Sequence, residues 1–387
     1  MPRRKKEEIK ASDLEGFKYL KLLSPLLERL HKIGTERDRA GNRELFFDQY
    51  VLLLLLYYFT PVITSLRGLQ QATGLEKTQK RLGIKRTSLG SLSEATKVFD
   101  PTALREILQE LAKRALPLQP GAAAEALRDL VAVDGTLLRA LPRMAWALWK
   151  DETHRAVKVH LHFNVLKGVP EDATVTPGAC SEPGQLAEML QPGRLYVADR
   201  GYVWYELFRK IIDAKSSFII RVKDNLAFTV QEERRIPPEA AAAGVIRDVV
   251  IDKLGTDHHK DYLKTPVRLV VIQYTDRNGQ LKESWLITDR LDLPADLVAL
   301  AYRYRWSVEL FFRWLKCVLG CRHLVFEDQA GITIQVYVAL IANVLIMLMT
   351  DRKPTLRTWE MIQFYFSGWA SLEELEAHLD KLKKADA

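Results

Sequence analysis

Two short runs of uninterrupted apolar residues, each stopped by an aspartate, constrain this chain most. Leu130-Val131-Ala132-Val133 stops at Asp134-Gly135-Thr136, and Leu195-Tyr196-Val197-Ala198 stops at Asp199-Arg200-Gly201-Tyr202. Runs of this length and content read as buried strands. Between and after them, residues 157–165 alternate and read as a second strand, and 173–176 as a third. A helix is expected over about 202–214, and Phe218 to Val222 read as a fifth strand. Several strands followed by strand, helix, strand imply a mixed α/β core.

The flanks differ from that core. Residues 1–115 read as a helical region, with 117–121 as a linker. Ser65-Leu66-Arg67 and Thr87-Ser88-Leu89 each offer a hydroxyl residue to cap a helix, and Gly74 and Gly83 punctuate the segment. Residues 224–290 break the α/β rhythm with Pro237-Pro238, an Asn278-Gly279 turn and three short β-rich runs, and read as a β insertion. A long helix is expected over about 295–319, an apolar helix over 330–350 and an amphipathic tail helix over about 371–384. The domain division is therefore 1–115, helical; 125–223, first part of the α/β core; 224–290, β-rich insertion; 291–350, second part of that core, with the helix bearing Glu309; and 351–387, helical tail.

Composition narrows the class. The chain has 387 residues, 48% of them hydrophobic, with a formal net charge of +8 and only three cysteines. Nearly all of the positive excess falls in residues 1–100, which hold 19 basic and 12 acidic side chains. Lys77, Lys80, Arg81, Lys85 and Arg86 form a basic run free of acids, so the short helices around it are expected to read DNA in a helix-turn-helix-like way. The alternative is a solvated basic face. Few cysteines and a charged N-terminus lead to an expected cytoplasmic, nucleoid-associated location. The stretch 330–350 is long enough to span a bilayer, but it contains Gln335 and Asn343 and is expected to be a buried core helix instead. No Gly-rich phosphate loop is present, which argues against ATP-driven chemistry.

The chemistry is expected where the helix over 295–319 meets the two aspartates. At 100° per residue, with Tyr302 at zero, Arg305 falls at about 300°, Glu309 at about 340° and Lys316 at about 320°. The four share one stripe, with apolar residues opposite. Alone, this could be a solvated face with an Arg305–Glu309 ion pair. Asp134 and Asp199, however, each sit where a buried strand is expected to stop, the place where ligands gather in open α/β sheets. Three clustered carboxylates call for a cation, and magnesium suits all-oxygen ligands beside phosphate. His160 and His162, two apart on one strand, are a weaker metal pair without a third ligand. Cys317, Cys321 and His323 lack a fourth ligand for zinc and read as buried thiols beside a histidine.

The stripe Tyr302-x2-Arg305-x3-Glu309-x6-Lys316 resembles the signature of bacterial cut-and-paste transposases of the insertion-sequence-four family. Asp134-Gly135-Thr136 and Asp199-Arg200-Gly201-Tyr202 are similar to that family's first and second acidic motifs. The resemblance covers about residues 45–350. It implies an RNase H-like fold with a β insertion ahead of the glutamate helix. It implies Asp134, Asp199 and Glu309 as ligands of Mg²⁺, with Mn²⁺ substituting, and Tyr302, Arg305 and Lys316 on phosphates of the transposon end. Trp285 is placed like a base-stacking tryptophan of the family, though a core tryptophan reads as well. Implied partners are double-stranded DNA and a second copy of the chain in the DNA complex, with no membrane. The alternative is a catalytically silent DNA-binding descendant, against which the presence of all three acids argues.

Overall fold

The computed structural model describes residues 20–32, 41, 44–119, 121–151, 153–255, 263, 265–321, 323–350 and 352–384. The strands are β1 (Leu130–Arg139), β2 (Ala156–Asn164), β3 (Val169–Pro177), β4 (Leu195–Ala198), β5 (Ser217–Val222), β6 (Phe228–Glu233), β7 (Val245–Leu254), β8 (Val267–Thr275) and β9 (Leu281–Thr288). They form one nine-stranded sheet in the order β3-β2-β1-β4-β5-β9-β8-β7-β6. β1, β4 and β5 run parallel, while β2 is antiparallel to both of its neighbours. The β-rich residues after 224 are a meander joined to the main sheet by the antiparallel pairing of β9 with β5. The composition break therefore marks a continuation of the same sheet.

The apolar runs are buried on both faces. Leu130, Ala132, Leu161, Val197 and Ile219 belong to the larger core, with α11 (Ala295–Tyr304), α12 (Trp306–Cys317) and α13 (Gln329–Thr350). Val131, Val133, Tyr196, Ala198, Phe218 and Ile220 face the other way, onto α8 (Glu182–Glu188) and α9 (Tyr205–Asp213). These are called the front and back faces below.

The apolar helix expected over 330–350 is α13, and every residue from Ile334 to Met347 is buried. It passes the length and composition test for a membrane span, yet its apolar surface is covered by protein. It packs on α2 (Phe47–Phe59), α6 (Thr102–Arg114) and β3. Tyr337 donates its hydroxyl to Ala173 O at 2.6 Å, and Gln329 donates to Val175 O at 2.8 Å, which ties the helix to β3. Each large side chain buried there contributes about 1.5–3 kcal/mol, so a dozen of them anchor the front layer.

The helical region, which opens with α1 (Leu20–Lys32), shares this core: Leu26, Leu53 and Leu108 belong to the same cluster as Leu340, Trp359 and Leu375, while the one-turn helices α7 (Ala122–Ala126) and α10 (Pro238–Ala242) lie ahead of β1 and β7. Its first nineteen residues lie outside the described residues. The expected caps are in place. Ser65 accepts from Gly68 N at the start of α3 (Leu66–Thr73), and Ser88 from Ser91 N at the start of α5 (Leu89–Val98). Gly83 ends α4 (Glu76–Leu82) at φ 59°, a left-handed conformation that favours glycine. At the other end of the chain, the helical tail over 351–387 holds two helices: α14 (Leu356–Phe366), for which no bounds were expected, and α15 (Leu372–Lys384), the expected amphipathic helix.

Two expectations need correction. β1 does not stop at Asp134; it runs on to Arg139 because β2 pairs with it along that whole stretch, from Val131↔Asn164 to Arg139↔Ala156. The helix expected over 295–319 is two helices meeting at Arg305. There Arg305 N bonds to Tyr302 O at 3.1 Å and Val308 N to Arg305 O at 3.2 Å, three-residue steps that tighten the backbone.

Candidate active site

Sheet register assembles the site. β1 and β4 align Leu130 with Leu195, Val131 with Tyr196 and Ala132 with Val197. Continuing that register by two residues sets Asp134 level with Asp199, both on the front face by strand alternation. β4 and β5 align Ala198 with Ile220, so Arg221 comes level with Asp199 and shares the front face with Ile219. Two carboxylates and a guanidinium thus stand in a row across three adjacent parallel strands. β4 itself ends at the row, and Asp199 Oδ1 accepts from Gly201 N at 2.7 Å, capping a short 3-10 turn. Asp134 accepts from the N–H of Gly135 at 2.8 Å.

The third carboxylate comes from the covering helix. α12 packs against β1, held by the buried side chains of Val308, Phe311, Phe312 and Leu315. Arg305 Nη2 donates to Glu309 Oε1 at 2.6 Å, and its Nη1 lies 4.0 Å from Asp134 Oδ2. The Arg305 side chain is 11% exposed, that of Asp134 19% and that of Glu309 35%, so one guanidinium sits inside the cleft between two acids. Its Nε is buried without a partner among the described residues. The guanidinium carbon lies 5.8 Å from the Tyr302 ring centre. The Tyr302 hydroxyl is in hydrogen-bonding reach of Arg221 and Arg305. Burial raises the pKa of that hydroxyl against the opposing pull of both arginines.

Charge balance is the site's main electrostatic fact. Burial pushes the Asp134 carboxyl up to about 7; the Gly135 N–H works against it, Asp199 raises it further, Arg305 lowers it and Glu182 raises it again. Three carboxylates thus share the cleft with the guanidiniums of Arg305 and Arg221, and every acidic donor is an oxygen, a set that fits Mg²⁺. Among the described residues, no three acidic, histidine or cysteine side chains already converge in metal-holding geometry. Glu309 is turned to Arg305.

The back face directly behind Asp134 is polar too, but its charges are paired. Lys158 Nζ lies 3.3 Å from Glu182 and donates to Cys180 O at 2.8 Å. A Cβ added to Gly135 would meet Glu182 Oε1 at 2.7 Å, so a side chain there would have to displace a carboxylate that Lys158 holds. His160 Nε2 and Thr176 Oγ1 are 2.8 Å apart, and His162 meets Tyr196 edge-on at 5.7 Å. Burial pushes both imidazoles down to about 4, which makes them neutral core groups. Cys321 is buried 3.7 Å from the Tyr58 hydroxyl, while Cys317 and His323 are exposed, and no zinc set forms among the described residues.

The structure brings Asp134, Asp199, Glu309, Tyr302 and Arg305 together. Lys316 lies two turns beyond Glu309 on α12, half-buried. Trp285 is not in this group: it pairs with Val222 in register and faces the back, its ring 6.2 Å from Phe228 and its Nε1 donating to Glu283 at 3.1 Å. Lys77 and Lys80 lie on α4, and Lys85 and Arg86 precede α5. Exposed ion pairs join Lys80 to Glu76 and Lys85 to Glu44. The side chain of Arg81 lies outside the described residues. Sequence reading missed Arg221 and Glu182. A charge interrupting the buried run from Phe218 to Val222 could have flagged Arg221; nothing in the sequence singles out Glu182.

Comparison with known proteins finds transposases. Residues 125–345 match the family model described as "Transposase DDE domain". A probable transposase for insertion sequence element IS5377 of Geobacillus stearothermophilus is 27% identical over 236 residues, which is 60% of each chain. A putative transposase y4zB of Sinorhizobium fredii is 27% identical over 197 residues, 50% of this chain and 53% of that one. A putative transposase for insertion sequence element IS4SA of Synechocystis is 21% identical over 301 residues, 73% and 79% of the two chains. The chain thus spans 60% and 53% of the length of the first two. Among solved structures, a piggyBac transposase synaptic complex with hairpin DNA overlaps 97% of this chain and 82% of its own, at 11% identity and a TM-score of 0.44.

Proposed function

The chain belongs to the DDE-domain transposases of bacterial insertion sequences, and from that premise we propose that it cleaves the ends of its element and joins the freed 3′-hydroxyl to target DNA by metal-dependent phosphoryl transfer. The observation that carries the proposal is the in-register pair Asp134 and Asp199 beneath the helix that bears Glu309. The order β3-β2-β1-β4-β5, with β2 alone reversed, supports an RNase H-like reading of that half of the sheet. The β6–β9 meander is then the insertion.

In this reading Asp134, Asp199 and Glu309 hold Mg²⁺, or Mn²⁺ in its place. Two such ions, when bound, activate the attacking oxygen and stabilise the leaving one. The remaining groups act on the DNA strand. Arg221 and Arg305 supply planar, charge-assisted donors for phosphate oxygens, Tyr302 adds a hydroxyl and Lys316 a point charge further along α12. The covering helices leave the row half-buried, which strengthens each of these contacts over their value in open water. The basic run on α4 and before α5 gives the helical region its hold on duplex DNA. Two copies act together, one at each element end, in the cytoplasm.

The test is strand cleavage with Mg²⁺ beside gel shifts on the same end DNA. Asp134→Ala, Asp199→Ala and Glu309→Ala are each expected to abolish cleavage while end binding persists. Near-normal cleavage by any one of them removes that residue from the site.

A further inference from the structure

Arg305 occupies the place where a cation is needed. Its guanidinium donates to Glu309 at 2.6 Å and stands 4.0 Å from Asp134, inside a cleft that leaves it 11% exposed. A four-residue ion pair on an open helix face would be ordinary, but two features separate this one. It reaches across to a carboxylate on a different element, β1. Its Nε is buried with no partner among the described residues, so attraction to the acids, not a complete hydrogen-bond set, holds it there. Arg305 is also the junction between α11 and α12, where backbone steps shorten to three residues. A side chain at such a junction can be redirected without unwinding either helix. On its outer side it already neighbours Tyr302, which with Arg221 forms a donor group able to receive a phosphate.

We propose that Arg305 is a resident counter-ion that blocks metal loading until a DNA phosphate draws it off Glu309, so that DNA and divalent metal bind with positive coupling. The inference rests on the metal reading of the three acids given above. Its logic is electrostatic. While Arg305 bridges Asp134 and Glu309, a divalent cation must compete with an internal charge and meets a glutamate turned away. Once the guanidinium turns to a phosphate, both carboxylates are released together. By linkage the effect is reciprocal: whatever factor DNA adds to metal affinity, metal adds to DNA affinity, typically about 5- to 150-fold. The device would keep a nuclease-like centre unloaded away from its DNA.

The experiment titrates Mn²⁺ calorimetrically into the full chain without DNA, comparing wild type with Arg305→Met, Arg305→Lys and Asp199→Asn, each checked by thermal melting. Expected is weak binding by wild type and Arg305→Lys, binding at least about fivefold tighter by Arg305→Met, and loss of that binding in Asp199→Asn. Repeating the titrations with duplex DNA taken from the gene's own flank should tighten Mn²⁺ by a similar factor in the wild type, with little further gain in Arg305→Met and no such binding in Asp199→Asn. If Mn²⁺ binding depends on Asp199 but Arg305→Met matches wild type, the counter-ion role is overturned and the metal site stands. If no Mn²⁺ binding depends on Asp199, with or without DNA, the metal reading falls and this inference with it. If Arg305→Met tightens Mn²⁺ but DNA leaves the wild type unchanged, the coupling to phosphate is refuted.

Discussion

The two faces of β1 at the first acidic motif solve the same problem in opposite ways. On the front, Asp134 and Asp199 stand side by side with Arg305 shared between Asp134 and Glu309, and the Asp134 carboxyl is pushed up to about 7. One residue along and on the back, Glu182 is matched by Lys158, and His160 and His162 are neutral and packed. A buried charge left short of a partner costs stability, and a structure keeps it only where something outside the chain completes it. The paired back face is the support, and the unbalanced front face is the site.

That contrast can be broken most directly by neutralising one carboxylate on each side. Asp134→Asn is expected to lose cleavage by more than the about 10- to 100-fold typical of removing a supporting partner from a metal site. It should at the same time gain about 1–2 kcal/mol of stability, because a buried charge is gone. Glu182→Gln should keep most cleavage and lose stability. Equal effects of the two on cleavage would erase the distinction between the faces. Paired cleavage assays and urea melts decide it.

The next largest effect is in acid. Both back-face histidines have folded pKa values near 4 against an ordinary 6.5. The unfolded chain therefore binds protons first as pH falls, and stability drops between about 6.5 and 4. At the acid end the loss is about 3 kcal/mol for each fully buried ring. Replacing His162 with Phe should flatten the pH dependence of the urea midpoint in that window. An unchanged slope would show that His162 titrates normally.

A smaller effect tests how tightly the faces are mechanically joined. Gly135→Ala puts a methyl group against Glu182, whose carboxylate Lys158 restrains. A cost of about 1–2 kcal/mol is expected, and Glu182→Ala in the same chain should recover most of it. Additive losses in that double-mutant cycle would mean that the strand, not the glutamate, yields. The smallest effect lies furthest away. Neutralising Lys77, Lys80, Lys85 and Arg86 should reduce the salt slope of DNA binding by about 0.9 for each phosphate no longer neutralised, with the fold unchanged because the pairs at Lys80 and Lys85 are exposed. A slope equal to that of the wild type would place the duplex-binding surface elsewhere.

The sequence by itself determined the parts of this protein that depend on local pattern. Short continuous apolar runs read as strands covered on both sides, and those at 130 and 195 are. A hydroxyl followed by helix-forming residues marked the starts of α3 and α5. An uncharged stretch of helical length became α13, although only packing could say that protein, not lipid, covers it. The four-residue spacing of Arg305 and Glu309 put them one turn apart, because helical spacing is a property of the backbone, whereas Tyr302 on α11 meets Arg305 across the junction of two helices. What the tertiary structure decided is which side chains meet. Register between β1, β4 and β5 is a non-local choice set by the packing of both faces, and it alone levels Asp134 with Asp199 and adds Arg221 to the row. Pairing with β2 carried β1 past Asp134, where the apolar run had suggested an end. Trp285 was turned to the back face by the pairing of β9 with β5. Glu182 reached Gly135 from the start of α8, which Ser181 caps; the cap is local, but the meeting with Gly135 is not, since residues far apart in the chain are brought together by the fold and not by spacing.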